Sequence, residues 1–461
     1  MVAGRRSARG TIRGAAALRR KRSTGGSPPA LTHVHHRRNR RVHVFIWLAV
    51  AAFLPLLAGP GFAGAPAYWP AVQSSGGVCA AVAPGVLYSH YSVRTSNGPL
   101  SIHHLRVDLA NPSVRLGTAL ANNQLISGDE TVSSMMAHWS GAVAGINGDF
   151  FDIGDSGMPL NIMVRDGVLL RSPTGWAALA IGRDGGVRIE RFRWTGSIVV
   201  PAARQSYWLS GFNTGIAPNG LTVLSNVRGY GAPEPGRWMR QTVVELAPAG
   251  ERPGAPAAAA GGHYTVKRVW PQQAYYAPFP EREILLVGEG DAAAWLLHNV
   301  EAGMAIDVNL NTQPDWRGLA TVVGGGPLLV QNGRRIADPH NPVPDERYVR
   351  NPVSAVGITQ DGRTMFLVAV DGRQSRLSIG LTQPQLAAYM QWLGAYQAME
   401  FDSGGSVTMA VRFPGRPWPA VVNSPSDGHE RAVANALLVF SVPVARQAHG
   451  AGLIRGAAAP R

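Results

Sequence analysis

The sequence predicts an α+β protein, an extensive mixed or antiparallel sheet with a few short helices. Three observations predict it. From residue 316 onward, short apolar runs rich in β-branched residues recur, each closed by a turn containing Gly, Asn or Pro. One helical pattern, 382–393, interrupts them, with Thr382 as N-cap and Pro384 in the first turn. No long repeat and no βαβ alternation occurs along the chain.

The elements follow in order. Residues 66–100 are rich in Pro, Gly and Ser and read as a tether or an irregular first strand. Residues 102–107 and 114–120 alternate apolar and polar, as half-buried strands do. Residues 131–139 have helical spacing, with Asp129 and Thr131 as candidate caps. An apolar strand at 141–146 delivers Asn147 and Asp149 to its C-terminal end. Residues 161–170, with Arg165-Asp166-Gly167 inside them, form a hairpin pattern. The middle, 186–315, holds short β-like runs broken by Pro248-Ala249-Gly250 and by an Ala/Pro/Gly surface loop at 253–262; residues 291–300 read as a short helix. Further strands are expected at 321–323, 328–331, 353–359, 365–370, 407–411 and 435–442. In the 382–393 helix, Leu386, Met390 and Leu393 share one face.

The chain has 461 residues, enough for a sizeable core, and a formal charge of +15. Twelve basic residues and no acidic one lie within 1–43, which leaves about +3 for the rest. The charge therefore marks a targeting or anchoring arm and gives no reason to expect a nucleic-acid partner. Residues 44–58 are apolar, short for a membrane span and the right length for a signal-peptide core, and Ala63-Gly64-Ala65 offers a cleavage site. The expected organisation is a basic arm plus signal peptide or membrane anchor at 1–67, a β-rich segment at 68–142, a main domain at 143–445 with a variable middle at 186–315, and a flexible tail at 446–461. The body is expected to be secreted, periplasmic or in the cell envelope, touching membrane only through the N-terminal segment, with residues 44–63 as an anchor if uncleaved. A single cysteine, Cys79, excludes an intrachain disulfide.

Four carboxylates stand where a strand gives way to a turn: Asp149, Asp371, Asp402 and Asp427. The most informative run is Phe401-Asp402-Ser403-Gly404-Gly405-Ser406, which combines one carboxylate with glycines that admit close approach and hydroxyls that bind oxygens. The plain alternative for each Asp is a turn residue bonded to its own backbone. Arg373 and Arg350 are candidate forked donors to an anion, and the backbone of Gly324, Gly325 and Gly326 is a candidate anion nest. Asn147, Gly404, Gly405, Ser406, Asn423, Ser426 and Asp427 complete the candidate binding set. The histidines show no metal-ligand spacing, and His103 and His104 face opposite sides of a strand. No cofactor is required; a calcium or magnesium ion held by Asp149, Asp402 and Asn423 is the metal alternative. Trp418 is a candidate for stacking on a sugar, whereas Trp139 and Trp392 fall on helix patterns and read as core.

These motifs, with Gly145-Ile146-Asn147-Gly148-Asp149-Phe150-Phe151, Val323 to Gly333, Asn351 to Ile358 and Asn423 to Gly428, resemble in order and spacing the phosphodiester glycosidase family. The likeness covers roughly 143–185 and 316–441. It implies a hydrolase acting on the bond between a sugar and a phosphodiester, with a phosphorylated glycan or sugar-phosphodiester as substrate. Asp402 and Asp149, then Asp371, would be the catalytic carboxylates. Because a phosphate ester leaves as a weakly basic anion, one carboxylate could be enough. Two departures stand out: Val353-Ser354 where the family has Arg-Thr after Asn-Pro, and Ser403 where it has a first glycine. Two other classes stay open, a non-catalytic envelope protein that binds anionic glycan and a metal-assisted phosphodiesterase.

Overall fold

Strands carry the protein, and helices are few and short. The computed structural model describes residues 73–126, 128–228, 241–250, 261–271 and 283–442, all within one unit, Gly64–Arg461. The arm and export segment expected at 1–67, nearly all of the 253–262 loop and the 446–461 tail lie outside the described residues. Among those described, no helix is long and apolar enough to cross a membrane.

An eight-stranded antiparallel sheet runs Gln73–Ala83, Val86–Thr95, Gly98–Asp108, Thr364–Val370, Val353–Ile358, Gln397–Glu400, Leu328–Gln331, Arg334–Arg335. Residues 73–95 are thus two paired strands rather than a tether, the first with register shifts between Ser75 and Val78 and between Ala81 and Ala83; Val86 and Tyr88 bury one face of the second strand and Val93 the other. They pair through Gly98–Asp108 with Thr364–Val370, so the N-terminal β-rich segment is part of the same sheet as the later strands.

A five-stranded sheet orders Ala420–Val421, Met409–Val411, Ala142–Asn147, Asn435–Ser441 and Val114–Leu120. A second one orders Val168–Arg171, Met163–Arg165, Leu319–Gly324, Ala177–Gly182 and Val187–Arg191. Its expected hairpin forms, with Asp166 and Gly167 both at positive φ, as a two-residue turn of matching twist requires. This sheet is apolar on both faces. Ala177, Leu179 and Val323 join a core with Ile146, Leu367, Phe401 and Leu437, while Ala178, Ala180 and Val322 join another with Phe192, Leu221 and Leu286.

The variable middle folds into a further eight-stranded sheet, from Gln205–Trp208 at one edge to Gly211–Phe212 at the other, with the only parallel pair among the described residues at the latter edge. Its strands run from two residues to nine, and Val223, Val244, Leu286 and Ile306 on them are fully buried.

Three α-helices occur among the described residues: α1 (Val132–Ala137), α2 (Asp291–Asn299) and α3 (Gln383–Trp392). Thr131 caps α1 by accepting from the Ser134 N–H, and Thr382 and Gln385 form a reciprocal capping box on α3. Leu386 and Met390 of α3 pack on Ile102, Val353 and Val370 of the first sheet. The extensive sheet with a few short helices is as expected, and the class is corrected from α+β to mostly β, with strands such as Ala177–Gly182 and Val353–Ile358 buried on both faces.

Candidate active site

Two sheets meet at the end of the Ala142–Asn147 strand. The backbone N–H of Asp402 donates to the Gly148 carbonyl at 2.9 Å. The Asp402 carbonyl accepts from Asn147 Nδ2 at 2.8 Å and from Ser354 Oγ at 2.9 Å. Asp149 and Asp402, more than 250 residues apart in sequence, are thereby neighbours. Asn147 does this by its amide, whose oxygen also accepts from Thr408 N at 3.2 Å, so it fixes backbone on both sides of the turn.

Asp149 is 2% exposed. Its Oδ2 accepts from Asn161 N at 2.6 Å, while Oδ1 is buried with no hydrogen-bond partner. Burial pushes its pKa up to about 8, helped by the Asp402 charge and opposed by the Asn161 N–H and Arg171. Asp402 is less enclosed. Burial raises it to about 6, with the Ser406 hydroxyl, the Ser403 N–H at 2.9 Å and Arg431 favouring the charged form and Glu346 disfavouring it. Arg431 also grips Asp427, at 2.9 Å from Nε, and reaches Ser406 Oγ at 3.4 Å. Asp427 therefore acts on Asp402 only through Arg431 and Ser406.

Other expected residues have structural employment. Asp371 is turned inward: Oδ1 accepts from Ser424 N at 2.7 Å and Asn423 Nδ2 at 3.3 Å, and Oδ2 lies 3.2 Å from His103 Nε2. It anchors the Asn423–Ser424 backbone. Asn423 spends its oxygen on Met409 N at 2.8 Å, so it is not placed to join Asp149 and Asp402 around a cation. Among the described residues no group of three or more His, Cys, Asp or Glu is arranged to hold a metal.

The expected nest at Gly324–Gly326 is not one. Gly325 N donates to Ala177 O at 3.1 Å and Gly326 N to Glu400 O at 2.8 Å, so those donors are consumed. The glycines are needed for closeness instead: a Cβ on Gly324 would lie 2.5 Å from Asp149 Oδ2, and one on Gly325 would lie 2.8 Å from Glu400 O. Arg350 donates to Gly380 O at 3.0 Å. Arg373 is exposed beside Gly404, held by Asn351 Oδ1 at 3.2 and 3.3 Å, with its backbone at φ 58°. Of the two arginines, Arg373 is the one whose guanidinium lies beside the Gly404–Ser406 turn. Ser426 Oγ is buried without a hydrogen-bond partner. Trp418 leaves the Met409–Val411 strand at the end remote from Asn147, away from Asp402.

Sequence reasoning missed Glu400 and Glu346. Glu400 is 1% exposed, and burial, Glu346 and Asp402 all push its pKa well above the ordinary range, opposed by a hydrogen bond with Gln383. Its Oε2 has no hydrogen-bond partner. The signal was available: Glu400 closes the Gln397–Glu400 strand two residues before Asp402. Glu346 offered no such signal; it ends the 3-10 turn Pro344–Glu346 and accepts from Asn351 Nδ2 at 2.8 Å.

The phosphodiester glycosidase family model matches residues 254–440. The match takes in Gly324 to Asp427 and extends back into the middle, but does not reach the 143–185 likeness or Asp149. In structure, the chain is similar to a hypothetical protein from Synechocystis (TM-score 0.64, 18% identity, 80% of this chain and 64% of that one). It is also similar to a protein from Burkholderia pseudomallei K96243 named as a candidate exported protein (TM-score 0.63, 20% identity, 81% of this chain and 97% of that one). These likenesses establish a shared fold. The catalytic domain of zebrafish N-acetylglucosamine-1-phosphodiester alpha-N-acetylglucosaminidase follows at a TM-score of 0.41, with 14% identity over 79% of this chain and 87% of that one. No curated protein matches the chain. Over residues 254–440, the family that this chain matches is the one its motif series resembles, the phosphodiester glycosidases.

Proposed function

We propose that the protein is an exported hydrolase that cleaves the bond between a sugar's anomeric carbon and a phosphodiester in a cell-surface or extracellular glycan. One arrangement carries this reading: the Asp402 N–H on the Gly148 carbonyl at 2.9 Å makes Asp149 and Asp402 neighbours, and burial raises both carboxyls, Asp149 to about 8 and Asp402 to about 6. Near neutral pH one is a proton donor and the other an anion, the division of labour that glycoside hydrolysis uses. Asp402 stabilises or attacks the anomeric carbon as the C–O bond to phosphate breaks. Water supplies hydroxyl to the sugar and a proton to the departing phosphate. Asp149 donates a hydrogen bond to the leaving phosphate oxygen, and Arg373 binds the phosphate. The family match over 254–440 supports the reaction class, and the Burkholderia relative's name supports export.

Val353 favours a second reading, a non-catalytic binder of anionic glycan. In place of the family arginine it is 2% exposed and packs with Ile102 and Val370 under α3, so it presents no charge to a substrate. Release of free sugar together with a phosphate monoester from a sugar-1-phosphodiester by the wild-type protein decides between them: that release supports the hydrolase, and binding without release supports the binder.

A further inference from the structure

One side-chain amide ties a carboxylate and a guanidinium together at the Asp402 turn. Asn351 is 6% exposed, and its backbone exchanges two hydrogen bonds with Leu381, each at 3.1 Å. Two glycines press on that backbone: a Cβ on Gly380 would lie 2.2 Å from the Asn351 carbonyl oxygen, and one on Gly372 would lie 2.8 Å from the Asn351 carbonyl carbon. From this fixed point, Asn351 Nδ2 donates to Glu346 Oε2 at 2.8 Å, and Oδ1 accepts from Arg373 at 3.2 and 3.3 Å. Arg373 lies beside Gly404, whose N–H donates to the carbonyl of Pro352 at 2.9 Å.

Glu346 is half-buried, and its Oε1 has neither a hydrogen bond nor an ion pair among the described residues. It stands close enough to Glu400 and Asp402 for its charge, after burial, to disfavour ionisation of both. Glu400, 1% exposed, leaves Oε2 without a partner. The neighbouring cations are turned elsewhere: Arg431 grips Asp427, Arg350 donates to Gly380 O, and Arg347 lies over Tyr348. The acids are not arranged as a metal site. An ammonium group makes fewer demands, since its three donors can use a single open carboxylate oxygen.

We propose that Glu346 recognises a free amino group on the sugar, so that the substrate is an amino sugar 1-phosphodiester held as a zwitterion between Glu346 and Arg373. The inference rests on the proposed function for placing sugar at Asp402 and phosphate at Arg373. Acylation of the nitrogen would remove the positive charge and leave Glu346 one amide N–H.

Calorimetric titration with glucosamine 1-phosphate, N-acetylglucosamine 1-phosphate and glucose 1-phosphate tests this on the wild type, Glu346→Gln and Arg373→Ala. The wild type should bind glucosamine 1-phosphate about tenfold tighter than the other two, as a charge-assisted contact implies, and a preference below about threefold overturns the proposal. Glu346→Gln keeps an acceptor for Asn351 and loses the charge, so its three affinities should agree within about threefold. Arg373→Ala should weaken all three ligands. A preference that survives Glu346→Gln, affinities untouched by Arg373→Ala, or no binding of any ligand also overturns it. The wild-type comparison stands even where a variant fails to fold. No turnover is read, so preference without cleavage of any diester would count against the hydrolase alone, and cleavage without preference against this inference alone.

Discussion

Asp402 hangs on Gly148: its N–H donates to that carbonyl at 2.9 Å, and Asp149 is the next residue along. One backbone bond between two sheets thus sets the spacing of both carboxyls, and the charge on Asp402 adds to the burial that keeps Asp149 protonated.

Activity should follow a bell-shaped pH profile. Asp402 must lose its proton, so the rate rises through about 6; Asp149 must keep its own, so the rate falls through about 8. Initial rates from pH 4 to 10 measure both limbs. Asp149→Asn should lower the rate by about 10²-fold and remove the alkaline limb. A flat profile in the wild type would contradict the assignment.

The same shift acts on stability. Asp149 binds its proton more tightly folded than unfolded, so its contribution is complete below the ordinary value of 3.8 and is lost as the pH rises through about 8. Thermal melts across that window should show a falling Tm in the wild type and a shallower fall in Asp149→Asn.

Gly324→Ala should destabilise the protein by about 1–3 kcal/mol, because the new methyl would sit 2.5 Å from Asp149 Oδ2 and 2.6 Å from Asn161 Cβ. Denaturant midpoints read the loss. Because the displaced atoms include the Asp149 carboxyl, the alkaline limb of the pH profile should move as well.

Asp371→Ala should act through folding. It removes the acceptor of Ser424 N and Asn423 Nδ2, and each buried donor left unmatched costs about 1–3 kcal/mol. A midpoint unchanged from wild type would return Asp371 to the list of catalytic candidates.

Much of this site was legible because strand ends advertise themselves. An apolar run followed by Asn147-Gly148-Asp149, and another followed by Asp402-Ser403-Gly404, place carboxylates where a sheet stops. Partners were not legible. Whether Asp371 points to ligand or to Ser424 depends on a chain segment more than 50 residues away. Gly324–Gly326 looked like an anion nest because glycines expose N–H groups, but those of Gly325 and Gly326 pair with Ala177 and Glu400. The middle sheet was hidden for a different reason. Two of its strands, Ser197–Val200 and Gln205–Trp208, are only four residues long, and two-residue alternation needs more length to stand out; the longer Gly262–Trp270 strand starts at the end of a segment whose Ala/Pro/Gly composition reads as loop.

The central claim is that Asp402 carries out chemistry at an anomeric carbon, and Asp402→Asn tests it most directly, since size and hydrogen bonding are nearly kept while the charge is lost. Single-turnover hydrolysis of a sugar-1-phosphodiester should fall by about 10³-fold or more, roughly 4 kcal/mol of transition-state stabilisation, with substrate affinity retained. Hydrolysis by Asp402→Asn within about tenfold of wild type would contradict the account, as would a wild-type protein that binds the diester and never cleaves it.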